Sequence, residues 1–582
     1  MTDPQPIELK DDDAPPVRHV RPATPWEAGV DRTDAGVSNV DTTRQGSGKI
    51  YALRTLMLLL VFAISAGALV TGLQLRDWLW TYTASIRFHG DINNGFNRGS
   101  VVYRDALKLM GDAIPAQTHI PMSVFFRSWV DGYDRAVENR PNGNFELDYP
   151  PLRLLVMSLW VKHVREHTPD VHGWEDEYTT PLLHFNSVME FVSCIGVFLV
   201  VRLWLIRRAR RTEPPGRLVV RWRENAIALT GALLLWFNPA VLHNAHAWPQ
   251  WDVWLVPFFI FAIFFASTER WTTAGVLLGV GAMLKGQILF VAPVIPLWAL
   301  FSGKPFGALK CLIGFALAWA LITSPWLVRT PRAAWMVGSA TVGAVALASF
   351  VAWRWRARRA WRGAWVIVPV TFISTVVLAG VYLEGTWSWF RVGFAYGTRQ
   401  YRTLAMGPIG NLPAILAKEY KWELGDDLTR ITLPGREEPT PIPIRSVLIG
   451  AYAVTLVLCA IGAAVHARRS DPRVLLALVA PWVTFFALTP QMHERYLLWG
   501  GAFTCVAVAV SMGWTLMHLL VMALALLMTL ASTLPSDPNF APMLLRFARG
   551  AIPGIGWMTL LVAMIFLYGA LPKPRRPDAS LR

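Results

Sequence analysis

"LLHFNSVMEFVSCIGVFLVVRLWLI" (Leu182–Ile206) runs straight into "RRARRTEPPGRLVVRWR" (Arg207–Arg223). The first stretch reaches the roughly 20 apolar residues that a helix needs to cross a bilayer. The second is dense in arginine, and loops of that kind stay on the cytoplasmic side. Together they predict a membrane helix that ends inside. Reading backwards, the long polar segment 75–181 then falls outside. The first apolar run, Leu53–Leu73, starts inside.

The rest of the chain extends this pattern. It has 582 residues, 54% hydrophobic and only 16% charged, with Trp 28 and Phe 29. A soluble chain of this size would carry more charge. "RWRARRAWR" (Arg354–Arg362), "HARRSDPR" (His466–Arg473) and "PKPRRP" (Pro572–Pro577) alternate with poorly charged turns and fall inside. The expected fold is all-α and polytopic, with about 14 spans and both termini cytoplasmic. Residues 1–50 form a polar, Pro-rich tail expected to be disordered. Residues 51–571 form one membrane module with external segments 75–181 and 384–445, and 572–582 form a second cytoplasmic tail. Between 270 and 305 the helices are short and interrupted by a lysine. No internal repeat is evident.

The formal net charge of +16 follows from these basic loops and does not point to nucleic acid. The four cysteines sit within apolar segments and read as small core residues. The apolar run begins too late for a cleaved signal peptide. The chain has no Asn-x-Ser/Thr sequon, which favours a bacterial inner membrane over the endoplasmic reticulum.

With this orientation the unusual polar residues gather on the external face. "FHGDINNGF" carries Asp91, and "LDYPP" carries Asp148 and Tyr149. "HNAHAWPQWDVW" carries His246, Gln250 and Asp252. "MLKGQILF" carries Lys285 and Gln287, "SPWLVRTPR" carries Arg329, and "TPQMHERYLLW" carries His493, Glu494 and Arg495. Each has a bland reading alone. Terminal charges snorkel, aromatics mark the interface, and Asp148 can serve the N-terminal dipole of a helix opened by two prolines. Snorkelling does not require so many clusters on one face. Charge at membrane depth costs a few kcal/mol or more, so such groups usually face a cavity or a partner. No Walker-type phosphate loop and no H-E-x-x-H occurs. External cations beside a carboxylate suit a lipid phosphate better than a nucleotide.

These motifs resemble the GT-C class of integral-membrane glycosyltransferases. The likeness is to the reticulum glucosyltransferases that extend lipid-linked oligosaccharide, and to their bacterial relatives. Gly90-Asp91-Ile92 is similar to a "GDY" motif, and Asp148–Leu152 reads "DYPPL" as in the family. The turn "HAWPQWD", the stretch "LKGQ" and "QMHERY" match further family motifs more loosely, with Arg495 where a lysine stands. The motifs run in family order from about residue 90 to 500. The resemblance implies a polyprenyl-phosphate-sugar donor, a glycan or lipid-linked acceptor, a membrane-lipid setting and inversion at the sugar carbon. It implies Asp91 as general base, with Asp105 as rival. Arg329, Arg495 and Lys285 would hold the phosphate with help from His493, while Asp148 and Tyr149 shape the site. No cofactor is certain, and some class members use a divalent metal ion. The competing expectations are a transporter or lipid flippase, and a scaffold.

Overall fold

The computed structural model describes residues 41–83, 89–111, 119–140, 147, 149–168, 175–212, 221–355, 361–400, 405–406, 409–432, 438–533, 542, 546, 550 and 551–572. Residues 1–59 and 60–582 form two compact units. The described part of the first is the start of the helix Asp41–Tyr82. The expected tail over 1–50 is therefore helical from Asp41 onward, and residues 1–40 lie outside the described ones. Once an apolar helix is nucleated, extending it backwards adds a hydrogen bond per residue.

Eight helices among the described residues are long and apolar enough to cross a membrane: Thr55–Thr81, Asp176–Arg211, Trp222–Ala247, Pro305–Leu327, Pro331–Arg354, Ile444–Arg468, Met512–Thr533 and Ile552–Ala570. The chain is a helical membrane protein. Five further apolar helices are shorter: Asp252–Ser267, Trp271–Leu284, Ile288–Phe301, Ile367–Tyr382 and Arg473–Leu488. The expected count of about 14 exceeds the eight long helices because several apolar runs break early. Lys285 stops Trp271–Leu284. A π-turn over His243–Ala247 interrupts the helical run behind Pro239.

Segment 75–181 holds three helices, Gly90–Met110, Met122–Asn139 and Pro151–His167. None is among the eight long apolar ones. Segment 384–445 carries the small departures from an all-α fold. Asp427–Ile431 pairs antiparallel with Thr440–Pro443. Ala405–Met406 pairs in parallel with Met492–His493.

The helix Arg473–Leu488 is apolar all round and buried from Val474 to Leu488, as a central helix must be. Elsewhere small residues permit contact between backbones. A Cβ on Gly275 would sit 1.9 Å from the Cys311 carbonyl oxygen, and one on Gly314 would sit 2.1 Å from that of Thr272. The helices Trp271–Leu284 and Pro305–Leu327 therefore touch main chain to main chain.

Candidate active site

Asp91 lies in the first turn of the helix Gly90–Met110, where an acidic group suits the helix dipole. His89 caps that helix. Its Nδ1 accepts from the Asp91 backbone N–H at 3.3 Å, and its Nε2 donates to the Pro249 carbonyl at 3.0 Å. One ring nitrogen accepts and the other donates, which describes a neutral imidazole. Burial, opposed by the Asp91 charge, brings the His89 pKa down to about 4.

Two long-range donors converge on Asp91 Oδ2. Gln250 Nε2 donates at 2.9 Å and an Arg495 guanidinium N–H at 2.8 Å. Burial pushes this carboxyl up, but Arg495, His89 and Gln250 outweigh it and hold the group well below the ordinary carboxylate range. The Nε of Arg495 faces Asp252 Oδ2 at 3.1 Å. Lys285 Nζ pairs with Asp252 Oδ1. Trp499 Nε1 donates to the Asp252 carbonyl at 2.9 Å. The cluster thus alternates sign: Asp91, Arg495, Asp252, Lys285. Its closed end is fully buried, with Asp252 0% and Lys285 3% exposed. Its open end is not, because the Asp91 side chain is 34% exposed.

Aromatic rings line both cations. Lys285 Nζ stands 4.9 Å from the ring centres of Tyr496 and Trp499. The guanidinium of Arg495 lies 5.5 Å from Trp248 and 5.7 Å from Tyr496. His493 Nε2 accepts from Arg495 at 3.3 Å, and its Nδ1 lies against Glu494 Oε2. Burial and the Arg495 charge lower the His493 pKa, against Glu494 and Asp91, which raise it. Ser532 donates to Glu494 Oε1 at 2.9 Å. Gln491, two residues before His493, takes a positive φ of 63°, a conformation that costs a non-glycine residue of order 1–3 kcal/mol and tends to cluster at functional sites.

The sequence-derived candidates separate into groups. Asp91, Gln250, Asp252, Lys285, His493, Glu494 and Arg495 come together. Tyr149 stands beside them, edge-on to Trp251 with centroids 5.9 Å apart. Arg153 covers its ring at 3.5 Å and Arg98 lies over it at 4.2 Å. Asp148 lies outside the described residues. His246 does not join the cluster. It meets Glu190 at 3.0 Å, and Glu190 accepts from Arg76 Nε at 2.8 Å. Arg329 does not join it either. It pairs with Asp131 at 3.3 Å and with Asp134, because the helix Met122–Asn139 puts those two acids next to its exit. Gln287 is half-buried and makes none of the cluster's side-chain contacts given for the described residues. Asp105, the rival base, is paired with Arg135 at 2.9 Å and Lys108 at 3.7 Å, on a part of its helix remote in sequence from Asp91.

Sequence reasoning passed over His89, Arg98, Arg153 and Glu190. The signal for Glu190 was present, since it is a carboxylate in the middle of an apolar span. Arg153 directly follows the "DYPPL" motif.

Some buried acceptors have no hydrogen-bond partner among the described residues. They include Gln250 Oε1 and Asn244 Oδ1. Buried polar atoms are normally satisfied, so such atoms mark places where water or a ligand belongs. The same residues are a poor fit for a divalent metal. Asp91 and Asp252 already face Arg495 and Lys285, whose charge opposes a second cation. Among the described residues no group of three or more His, Cys, Asp or Glu is arranged to hold a metal.

Neither a protein-family model nor a curated protein matches the chain.

Proposed function

We propose that the chain is a membrane glycosyltransferase that moves a sugar from a polyprenyl-phosphate donor to a hydroxyl of a lipid-linked glycan or similar acceptor. The observation that carries this reading is the partly exposed Asp91 carboxylate, gripped by residues distant in sequence and backed by two buried cations. In this reaction the acceptor oxygen attacks the anomeric carbon, and the bond from that carbon to the phosphate oxygen breaks. The electron pair leaves with the lipid phosphate, and the hydroxyl proton goes to Asp91. One displacement inverts the sugar carbon. The phosphate is already a good leaving group, so no second carboxylic acid is required, unlike a glycosidase. Arg495 and Lys285 stabilise the charge that grows on it. Gln250 holds Asp91 through its amide N–H and offers Oε1 to a substrate hydroxyl. Asp252 positions both cations, and His493 with Glu494 steadies Arg495.

An apolar groove of about 400 Å³ supports a lipid substrate. Leu152 and Leu155, on the same helix as Arg153, line it with Trp129 and Ile322. The absence of an Asn-x-Ser/Thr sequon favours a bacterial inner membrane, and the arginine-rich loops favour this site on its non-cytoplasmic face.

One observation favours a transporter or flippase instead. The buried Glu190–His246–Arg76 group sits beside broken helices, an arrangement that transporters use. Two measurements discriminate. Mass spectrometry of glycolipids from a deletion strain shows a missing sugar if the chain is a transferase. Sugar transfer in proteoliposomes disappears in Asp91→Asn on the same reading. Intact glycolipids together with unchanged transfer in Asp91→Asn would falsify it.

A further inference from the structure

The geometry gives Arg495 two incompatible tasks. If Asp91 is to accept a proton, a guanidinium bonded to its Oδ2 at 2.8 Å opposes it, because that contact stabilises the ionised form. If Arg495 is to hold a phosphate, the carboxylates on either side already occupy it. The two sides differ in access. Asp252 is fully buried and also pairs with Lys285, whereas Asp91 is 34% exposed. An anion entering from outside therefore reaches Arg495 on the Asp91 side.

We propose that the donor phosphate displaces Asp91 from Arg495, so that donor binding itself releases the base. This rests on the transferase reading above. The four charges of Asp91, Asp252, Lys285 and Arg495 cancel before the donor arrives. The phosphodiester of a polyprenyl-phosphate sugar carries one negative charge, so it takes the place of Asp91 at Arg495 one for one and leaves the Asp91 carboxylate as the unpaired charge. The freed carboxylate keeps its Gln250 bond but loses its counter-ion, and its basicity rises where the acceptor hydroxyl must be activated. Donor then binds before acceptor. After transfer, Asp91 holds the proton and is neutral. The departing lipid phosphate leaves Arg495 open, and Asp91 gives up its proton to solvent as it re-forms the ion pair. Asp91 is thus a competitor of the phosphate as well as its reaction partner.

The test measures farnesyl phosphate affinity for the full-length protein in nanodiscs, with farnesol as the uncharged control. Asp91→Asn is expected to bind farnesyl phosphate about tenfold more tightly than the wild type, equivalent to about 1.4 kcal/mol, with farnesol binding unchanged. In an Arg495→Gln background the same Asp91→Asn change is expected to do nothing, since a double-mutant cycle isolates what passes through that side chain. Equal or weaker binding by folded Asp91→Asn overturns the proposal, and so does equal tightening in the Arg495→Gln background, which would indicate general repulsion. If Asp91→Asn does not fold, Asp91→Ser serves in its place. No farnesyl phosphate binding to the wild type overturns the transferase reading as well. Binding without the competition overturns the displacement alone.

Discussion

Two charge clusters lie inside this protein, and they are built differently. In one, Arg76, Glu190 and His246 are 4%, 1% and 2% exposed, and each charge is closed off by its neighbours. Arg76 also donates to the Gly72 and Trp236 carbonyls and lies 3.6 Å from the Trp236 ring centre. It ties the chain at Arg76 to the helix Asp176–Thr212. In the other cluster Asp91 reaches the surface, and buried acceptors beside it have no partner among the described residues. Apolar burial contributes little to helix association in lipid, so polar contacts of the first kind act as glue. A sealed cluster holds helices together. An open, incompletely satisfied one has room for a ligand.

The comparison breaks most decisively at Asp91. Asp91→Asn is expected to lower sugar transfer about 10²–10⁴-fold, the range of a general base, while the melting temperature in detergent stays within a few degrees. An equal fall in both quantities would make Asp91 structural. Glu190→Gln should do the reverse. It leaves Arg76 buried without its carboxylate, which costs about 3–5 kcal/mol. The expected readout is a large drop in melting temperature, with turnover per folded molecule nearly unchanged. Tyr149→Leu removes the ring between Arg98 and Arg153. A cation–π contact is worth about 0.5–2 kcal/mol, so a rise in donor KM of several-fold is expected, with kcat preserved.

The smallest effect concerns pH. The Asp91 carboxyl sits below its ordinary value of 3.8 in the folded protein. A group depressed in this way adds stability above its unfolded pKa and loses that contribution only as pH falls through the folded value. His89, near 4, is already neutral at pH 5. If the chain is the transferase proposed above, its kcat/KM is therefore expected to stay flat from about pH 5 to 8, since that parameter reports the groups of the unliganded protein. An acid limb near 6.5 would show that a neutral, deprotonated histidine is needed and would reopen the base assignment.

Much of this was legible in the chain itself. Apolar blocks and arginine-rich loops carry the membrane fold, because bilayer thickness sets a length that sequence displays directly. Lys285 and Arg495 stood out as charges among apolar neighbours. Arg329 and His246 stood out for the same reason yet belong elsewhere. Depth in a membrane shows that a charge needs a partner but not which one, and Asp131, Asp134 and Glu190 supply theirs through packing that no local pattern encodes. The helical start at Asp41 was missed because composition reads polarity, whereas an established helix extends through polar residues.

The main-chain contact of Gly275 and Gly314 has its own consequence. Neither glycine can accept a methyl group without pushing apart two backbones, and Lys285 ends the helix that would move. In a saturation-mutagenesis screen scored only for growth, these two positions should be as intolerant as Asp91 itself. A map of essential residues would then mark a site about three helical turns larger than the chemistry it contains.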